Sequence, residues 1–298
     1  MLNRPYLLLT LAPLIWAGNT IAGKLAAPEV SPMILTLMRW AIACSVLLPF
    51  AIPSIKREWR TIRVHLPLLF VYGAMGFTAF NLLLYAALNH TSAINVSIVQ
   101  AAIPMIILLL NLVFFRQRIF ILQLLGVVLA FLGVAITATK GDIINTISQG
   151  INQGDTLMLI ACVLYAAYSI ILRFKPHISW MSFIFVLAVC ALMVAIPFAL
   201  YESQHGGFLH INGRSVLILV YIAIFPSIVA QLCYAKGVEL IGASRAGFAI
   251  NLIPIFGAML SVIILGEAFR WYHGIGLLLV LCGIAFSEGI SRWTEKNQ

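Results

Sequence analysis

The chain has 298 residues, of which 62% are apolar and 9% charged, with a mean hydropathy of +1.06 and a net charge of +9. Soluble domains carry about 25% charged residues and lack long uncharged runs. Here uncharged apolar runs fill almost the whole length, each near the roughly 20 residues that cross a bilayer. The composition excludes a soluble globular domain and predicts an all-α polytopic membrane protein.

Ten transmembrane helices are predicted, each an apolar run bounded by polar or charged residues. In chain order they are Leu7–Leu25, Pro32–Ile52, Leu66–Leu88, Ile94–Phe115, Ile121–Ala138, Thr156–Leu172, Trp180–Leu200, Val216–Ala235, Ala246–Leu265 and Trp271–Ile290. The first run could pass for a signal peptide, but nine further spans favour a retained first helix.

The basic residues predict the orientation. With the N-terminus inside, the inner segments hold 13 Lys and Arg residues and the outer segments hold four: Lys24, Lys140, Arg214 and Arg270. This asymmetry places both termini in the cytoplasm and predicts a multi-pass protein of the inner (plasma) membrane. Basic loops that face anionic lipid also account for the net charge without a nucleic-acid partner.

The chain contains an internal duplication. Shifted by 150 positions, residues 92–136 lie over residues 242–286 without a gap, and the pairs Pro104/Pro254 and Gly133/Gly283 fall in this register. This predicts two five-helix repeats, at 6–138 and 155–289, joined by a polar linker at 139–154. Because five is odd, the second repeat is predicted to be inverted, an architecture typical of secondary transporters.

The paired prolines, Pro104 and Pro254, lie near the middles of the fourth and ninth spans. Each weakens the bond to the carbonyl four residues earlier and predicts a kink. Such a defect is tolerated in a membrane where the freed backbone lines a cavity or meets a neighbour. We interpret the pair as hinges or cavity walls; the alternative is a kink that improves packing.

Polar side chains inside the spans predict a central cavity. Several recur three or four residues apart, so that they share a helix face on spans one, three, six and eight. Such residues usually face the interior of a bundle, and the alternative is interhelical hydrogen bonding at about 0.6 kcal/mol each. The predicted substrate-binding residues are Trp16, Asn19, Arg39, Asn81, Tyr85, Gln100, Tyr165, Tyr168, Gln231, Tyr234 and Asn251.

Arg39 is the only one of these with a formal charge. It is predicted to lie about 10 Å below the outer end of its helix at ~1.5 Å per residue, where a guanidinium costs about 2.5–3.5 kcal/mol unless it is paired or hydrated. It could hold a substrate carboxylate through two hydrogen bonds. It could instead brace helix ends by bonding carbonyls, and that structural role is slightly favoured.

Several stretches resemble the EamA-type members of the drug/metabolite transporter superfamily. They are IWAGNTIAGK (15–24), Arg39, the mid-span prolines, LGEAFRWYHGIG (265–276) and the G-x6-G pattern of spans five and ten. The resemblance covers about residues 6–138 and 155–289. It implies ten helices around a central cavity, alternating access, and export of amino acids or other small metabolites. The halves differ: Glu267 falls where the first half has Gln117, and Arg39 has no basic counterpart in the seventh span.

No cofactor or metal is predicted. The five cysteines lie inside spans without a CxxC pair or a neighbouring histidine, which indicates packing thiols. Glu239, Glu267 and Glu288 lie at span ends, and the histidines in loops or at edges. Because proton-driven carriers place a titratable group within the membrane, facilitated movement is favoured.

The favoured function is therefore a secondary transporter that exports a small metabolite, an amino acid or related compound, by alternating access. A flippase for a lipid or lipid precursor is the alternative. A membrane enzyme is disfavoured because no nucleophile and base fall together, and GASRAG at 242–247 is not a GxSxG elbow. The expected partners are the metabolite and the bilayer, and the glycine faces of spans five and ten permit either a homodimer or a contact within one chain.

Overall fold

The computed structural model describes residues 4–116, 120–142, 152–242, 246 and 249–296, with side chains as far as Phe286. Gln117 and most of the predicted linker lie outside these residues. The described residues form ten helices, eight of them long and apolar enough to cross a membrane. They are α1 (Pro5–Ala26), α2 (Pro32–Val64), α3 (Leu66–Leu88), α4 (Ala93–Phe115), α5 (Ile121–Ala138), α6 (Gln153–Phe174), α7 (Trp180–Gln204), α8 (Gly213–Ile241), α9 (Ile253–Leu265) and α10 (Trp271–Lys296). The all-α prediction with ten helices is confirmed.

Successive helices run in opposite directions, so their connections collect at two ends of the bundle. We call the end with the α1–α2, α3–α4, α7–α8 and α9–α10 connections the linker side, because residues 139–142 and the start of α6 also lie there. The opposite end, with the start of α1, is the terminus side.

Eight of the ten helices differ from their predicted bounds at one end or both, with large differences at α2, α8 and α9. α2 continues to Val64 rather than ending at Ile52, so its basic segment is helical and not a loop. Its 33 residues measure about 50 Å at ~1.5 Å per residue, well beyond a hydrocarbon core of about 30 Å. α8 begins earlier and ends later than predicted, whereas the continuous part of α9 begins only at Ile253. Hydropathy indicates where the chain leaves the membrane, but a helix can continue beyond that point.

The 150-residue repeat is visible in the irregularities of the backbone. α3 contains a π-helical segment at Gly73–Ala79, and α8 contains one at Phe225–Val229. α4 and α9 end on residues in the left-handed conformation, Arg116 (φ 51°) and Gly266 (φ 66°). These departures from regular helix are related by the 150-residue shift to within a few residues. The two halves of the chain therefore have similar backbone conformations.

The prolines lie at breaks rather than at kinks. α4 stops at Gln100 and restarts at Ile103, and turn residues 251–252 likewise precede the restart of α9. Pro104 and Pro254 are the second residues of the restarted segments, where a helix needs no N–H donor. The chain therefore accommodates each proline by beginning a new helix in the middle of the bundle.

The predicted glycine faces join α5 to α10 within one chain. A Cβ atom built on Gly133 would lie 2.6 Å from the carbonyl oxygen of Gly276, and one built on Gly283 would collide with the carbonyl of Gly126. Small residues let the two backbones approach this closely. The last helices of the two repeats are therefore in direct contact.

Reciprocal glutamates join α2 to α7 at both ends. Glu202 near the end of α7 accepts hydrogen bonds of 2.9 Å from the backbone N–H groups of Met33 and Ile34 at the start of α2. Glu58 near the end of α2 accepts bonds of 3.1 and 2.9 Å from the N–H and hydroxyl of Ser179 at the start of α7. Carboxylates stabilise the positive end of a helix dipole, so each helix caps the other.

The α5–α10 contact generates a test. Gly133→Ala should destabilise the protein by about 1–3 kcal/mol because its methyl group would overlap a backbone oxygen that cannot move alone. Thermal unfolding of the purified protein in detergent measures this as a fall in Tm. Gly274→Ala is the matched control, since its Cβ would meet its nearest atom at 3.5 Å; an equal loss in both variants would contradict the close-packing account.

Candidate functional site

A cavity of about 110 Å³ lies in the middle of the bundle, bounded by both broken helices. One water needs about 10–15 Å³ by the same measure, so the space holds several waters or a small solute. Nine of the eleven predicted substrate-binding residues line it, together with Pro104 and Pro254. The nine are Trp16, Asn19, Arg39, Asn81, Gln100, Tyr165, Tyr168, Gln231 and Asn251.

The other two predicted residues stand behind the wall. Tyr85 is 1% exposed, and its hydroxyl donates a 2.8 Å hydrogen bond to Asn19 Oδ1. Tyr234 packs its ring against Trp16, with ring centroids 5.5 Å apart. Both therefore support residues that line the cavity and do not line it themselves.

Arg39 organises the polar part of the wall. Its Nη1 donates to Asn19 Oδ1 (3.3 Å), Asn81 Oδ1 (2.5 Å) and the Tyr85 hydroxyl (2.6 Å), and its Nε donates to Ser227 Oγ (2.7 Å). These acceptors come from α1, α3 and α8. The side chain thus joins three helices to α2, and the four bonds offset part of the cost of burying the guanidinium.

The bracing role expected for Arg39 is wrong in its detail. Its described partners are all side chains, and none is a helix-end carbonyl. Among the described residues Nη2 has no hydrogen-bond partner, and Arg39 is the only charged residue that lines the cavity. Within the part of the chain that the structure describes, the site therefore carries a positive charge with an unused donor, and its wall has no carboxylate to neutralise it.

The π-helical segments bring two of the Arg39 acceptors into place. Asn81 follows the Gly73–Ala79 segment, and its Nδ2 donates to Phe77 O at 2.7 Å, which directs Oδ1 to Arg39. Ser227 lies inside the Phe225–Val229 segment and donates to Ile222 O, five residues back, at 2.8 Å. π-bulges recur at functional sites because the extra residue redirects side chains, and here one in each repeat contributes to the same network.

Aromatic rings form the rest of the wall. Trp40 stacks on Phe77 with centroids 4.9 Å apart and an interplanar angle of 15°, and Arg39 lies over the Trp40 ring at 4.9 Å. Phe80 and Tyr165 are in ring contact at 4.8 Å. Guanidinium and ring faces attract each other, so Trp40 also helps to hold Arg39 in position.

Two buried polar atoms of the wall lack a partner among the described residues. They are Trp40 Nε1, a donor, and Gln100 Oε1, an acceptor. A buried polar atom left unpaired costs about 1–3 kcal/mol. Arg39 Nη2 is a third group of the wall with hydrogen-bonding capacity left over among the described residues.

The sequence analysis missed Trp40, Phe77, Phe80 and Ser227. It searched for amides and hydroxyls in pairs on one helix face, so aromatic residues without a polar partner were passed over. Trp40 had a visible signal, because it follows Arg39 directly. Ser227 had none, since its orientation depends on the π segment.

A ten-helix bundle whose two similar halves enclose a polar and aromatic cavity at its middle has the architecture of a membrane transporter. Comparison with known proteins agrees: the chain belongs to the EamA-like transporter family, whose model matches residues 3–139 and 152–288.

Several relatives are similar over almost their whole length. "Uncharacterized transporter YyaM" of Bacillus subtilis is 24% identical over 95% of this chain and 93% of its own. An "Uncharacterized transporter" of Archaeoglobus fulgidus is 29% identical over 95% and 97%. "Uncharacterized inner membrane transporter YicL" of Salmonella typhimurium is 22% identical over 92% and 91%. A solved crystal structure matches 98% of both chains with a TM-score of 0.65 at 19% identity, which supports the fold.

The Arg39 network generates a second test. Tyr85→Phe removes a hydroxyl that accepts from Arg39 and donates to Asn19, so the free energy of unfolding should fall by about 1–3 kcal/mol. Tyr201→Phe, at a ring that is 59% exposed, should change it by less than about 0.5 kcal/mol. Thermal unfolding of both variants measures the difference, and an unchanged Tm for Tyr85→Phe would mean that the network does not hold the helices together.

Proposed function

We propose that the protein is a secondary transporter that exports a small carboxylate-bearing metabolite, an amino acid or a related compound, by alternating access. The observation that carries this proposal is the buried Arg39, whose Nη2 has no partner among the described residues and faces no carboxylate of the cavity wall. A buried charge is strongly favoured to be paired. A carboxylate of the solute supplies the missing charge and the missing acceptors.

The remaining features of the wall suit an amino acid. The carboxylate is placed at Arg39, where guanidinium and carboxylate match in geometry. Gln100 Oε1, which lacks a partner among the described residues, is an acceptor for an ammonium group. The rings of Trp40, Phe80 and Tyr165 offer apolar faces to the side chain of the solute.

Orientation and location are part of the proposal. The unequal distribution of basic residues, 13 in one set of segments and four in the other, supports a terminus side in the cytoplasm and a linker side outside. The printed name of the Salmonella relative includes the inner membrane, which supports the same location here.

A solute panel tests the substrate class. Each natural amino acid, its carboxamide and its decarboxylated amine would be added to the purified protein, and the shift in Tm recorded. At least one amino acid should stabilise the protein, and its carboxamide should bind at least ~10-fold more weakly, because it lacks the charge-assisted bond to Arg39. Arg39→Lys should weaken binding of the amino acid similarly, since lysine lacks the planar fork, whereas Arg214→Lys at the exposed start of α8 is the control.

Two results would contradict this assignment. Equal stabilisation by the acid and its amine would show that Arg39 does not bind a carboxylate. Translocation of a fluorescent lipid by proteoliposomes that move no amino acid would replace the exporter with a flippase.

The prolines test alternating access. Pro104→Ala and Pro254→Ala supply a backbone donor at each break, so that α4 and α9 can become continuous helices. Inside a continuous helix alanine is favoured over proline, so each variant should be at least as stable as the parent. Uptake of the stabilising amino acid into proteoliposomes should fall. Since the two breaks belong to inverted repeats, cysteines near the two mouths should change their labelling in opposite senses in the two variants. Parental uptake and labelling in both would make the prolines packing features.

A further inference from the structure

A second group of buried polar side chains lies on the linker side, apart from the central cavity. We call Thr91, Asn95, Asp155 and His273 the linker-side cluster. Asp155, Asn95 and His273 are 0%, 3% and 4% exposed. Asp155 directly precedes the predicted sixth span, and His273 was predicted at the edge of the tenth. The structure places both in the first turns of α6 and α10, and the sequence did not show that both side chains are buried there.

The hydrogen bonds of the cluster fit one protonation state. Arg270 N–H donates to His273 Nδ1 at 3.1 Å, so the hydrogen of the imidazole is on Nε2, 3.1 Å from Asn95 Oδ1. The Asn95 amide then directs Nδ2 to Asp155 Oδ2 at 3.4 Å, and the Thr91 hydroxyl donates to Asp155 Oδ1 at 2.8 Å. This arrangement requires a neutral histidine and an ionised aspartate.

One added proton disrupts this arrangement wherever it binds. A proton on His273 Nδ1 would face the N–H of Arg270, and a proton on Asp155 Oδ2 would face the Asn95 amide, which only donates. A proton on Asp155 Oδ1 would require the Thr91 hydroxyl to turn and accept. Each position therefore costs the cluster at least one of its present hydrogen bonds. The cluster is thus stable without the proton and weakened by it.

Water reaches the cluster from the linker side. A cavity of about 450 Å³ opens there, and Thr91, Asn95 and His273 belong to its wall. The charged and titratable groups around it come from every neighbouring element: Lys24 of α1, His90 of the α3–α4 connection, Lys140 after α5, and Glu267 and Arg270 of the α9–α10 connection. Lys140 attracts the Asp155 carboxylate, and Arg270 opposes positive charge on His273.

The cluster holds the first half of the broken helix α4. Asn95 belongs to the segment Ala93–Gln100, which ends at the wall of the central cavity. The same segment is held by Glu267, whose two oxygens accept from the N–H groups of Ala93 and Ile94 at 2.8 and 3.0 Å. Opening the cavity to the linker side requires this segment to leave α6 and α10.

The cluster has no counterpart in the other repeat. Under the 150-residue shift, Asp155, Asn95 and His273 correspond to Pro5, Arg245 and Gln123. The terminus side therefore lacks the carboxylate and the imidazole, so a change in proton occupancy acts on one side of the carrier only.

We propose that the linker-side cluster is a proton-binding site whose protonation releases the Ala93–Gln100 segment and opens the central cavity to the linker side. The proton comes from water of the linker-side cavity, is bound by Asp155 or His273, and returns to that water when the segment closes. This inference rests on the alternating access of the proposed function, but its test needs no substrate. A negative result in this test therefore does not contradict the proposed substrate class. A negative result in the solute panel likewise does not contradict the proton-binding site.

The test measures access to the central cavity as a function of pH. Thr20, which lines that cavity and is 1% exposed, is replaced by cysteine in full-length protein in which the half-buried Cys233 and Cys282 are alanine. A membrane-impermeant methanethiosulfonate is applied from the linker side of proteoliposomes, and rates are normalised to those of a cysteine at the exposed position Arg214, which corrects for thiol ionisation. The normalised rate should rise at least ~5-fold between pH 7.5 and pH 5.5.

Variants identify which side chain binds the proton. Asp155→Asn mimics the protonated carboxyl and should give a high rate at both pH values, and His273→Gln should reduce the pH response. His90→Gln is the matched control, because His90 lines the same linker-side cavity but its described hydrogen bonds use only its backbone. A flat pH profile in the parent would overturn the proposal without any variant having to fold. A parental profile in both Asp155→Asn and His273→Gln would also overturn it.

Discussion

The structure depends on a guanidinium buried without a carboxylate among the residues around it. Removing a charge from water costs several kcal/mol even after relaxation. Among the described residues, Arg39 offsets this through the oxygen atoms of Asn19, Asn81, Tyr85 and Ser227 and through the ring of Trp40. The acceptors come from three helices, so α1, α2, α3 and α8 must converge on one point. The central cavity lies beside this convergence, which is why its charge is positive.

Irregular backbone segments help to bring the hydrogen-bond acceptors to Arg39. A regular α-helix offers few spare carbonyls and fixed side-chain directions. At the π segment of α3 the Phe77 carbonyl accepts from Asn81, and in the π segment of α8 Ser227 donates to the carbonyl of Ile222, which orients the atoms that face Arg39. The breaks before Pro104 and Pro254 lie beside the cavity, and both prolines line it. Non-helical backbone at membrane depth is tolerated where it borders such a space. The four irregular places of the bundle thus surround its functional centre.

Much of the fold was predictable because hydrophobic length is a strong signal in a membrane protein. The bounds of α3 and α5 match the prediction at both ends, and most cavity residues were found from the cost of polar groups in hydrocarbon. The end of α2 was missed because charged residues beyond the membrane still favour a helix. Asp155 was missed because a lone acidic residue after a polar stretch resembles a loop, and only the tertiary contact with Thr91 and Asn95 buries it. Side-chain networks of this kind depend on packing between distant helices, which periodicity does not encode.

The mutual capping of α2 and α7 has a consequence for the equilibrium between the two conformations of the carrier. Glu58 and Glu202 make the same kind of contact at opposite ends of one helix pair. If the second state of a carrier arises when its inverted halves exchange conformations, such matched contacts contribute equally to both states and cancel from the equilibrium constant between them. Only residues without a counterpart in the other half then contribute to the free-energy difference between the two states. A change of ~1.4 kcal/mol in that difference shifts a two-state equilibrium tenfold. The resting population of this bundle is then set by a handful of side chains, and evolution can retune it by single substitutions that leave the scaffold unchanged.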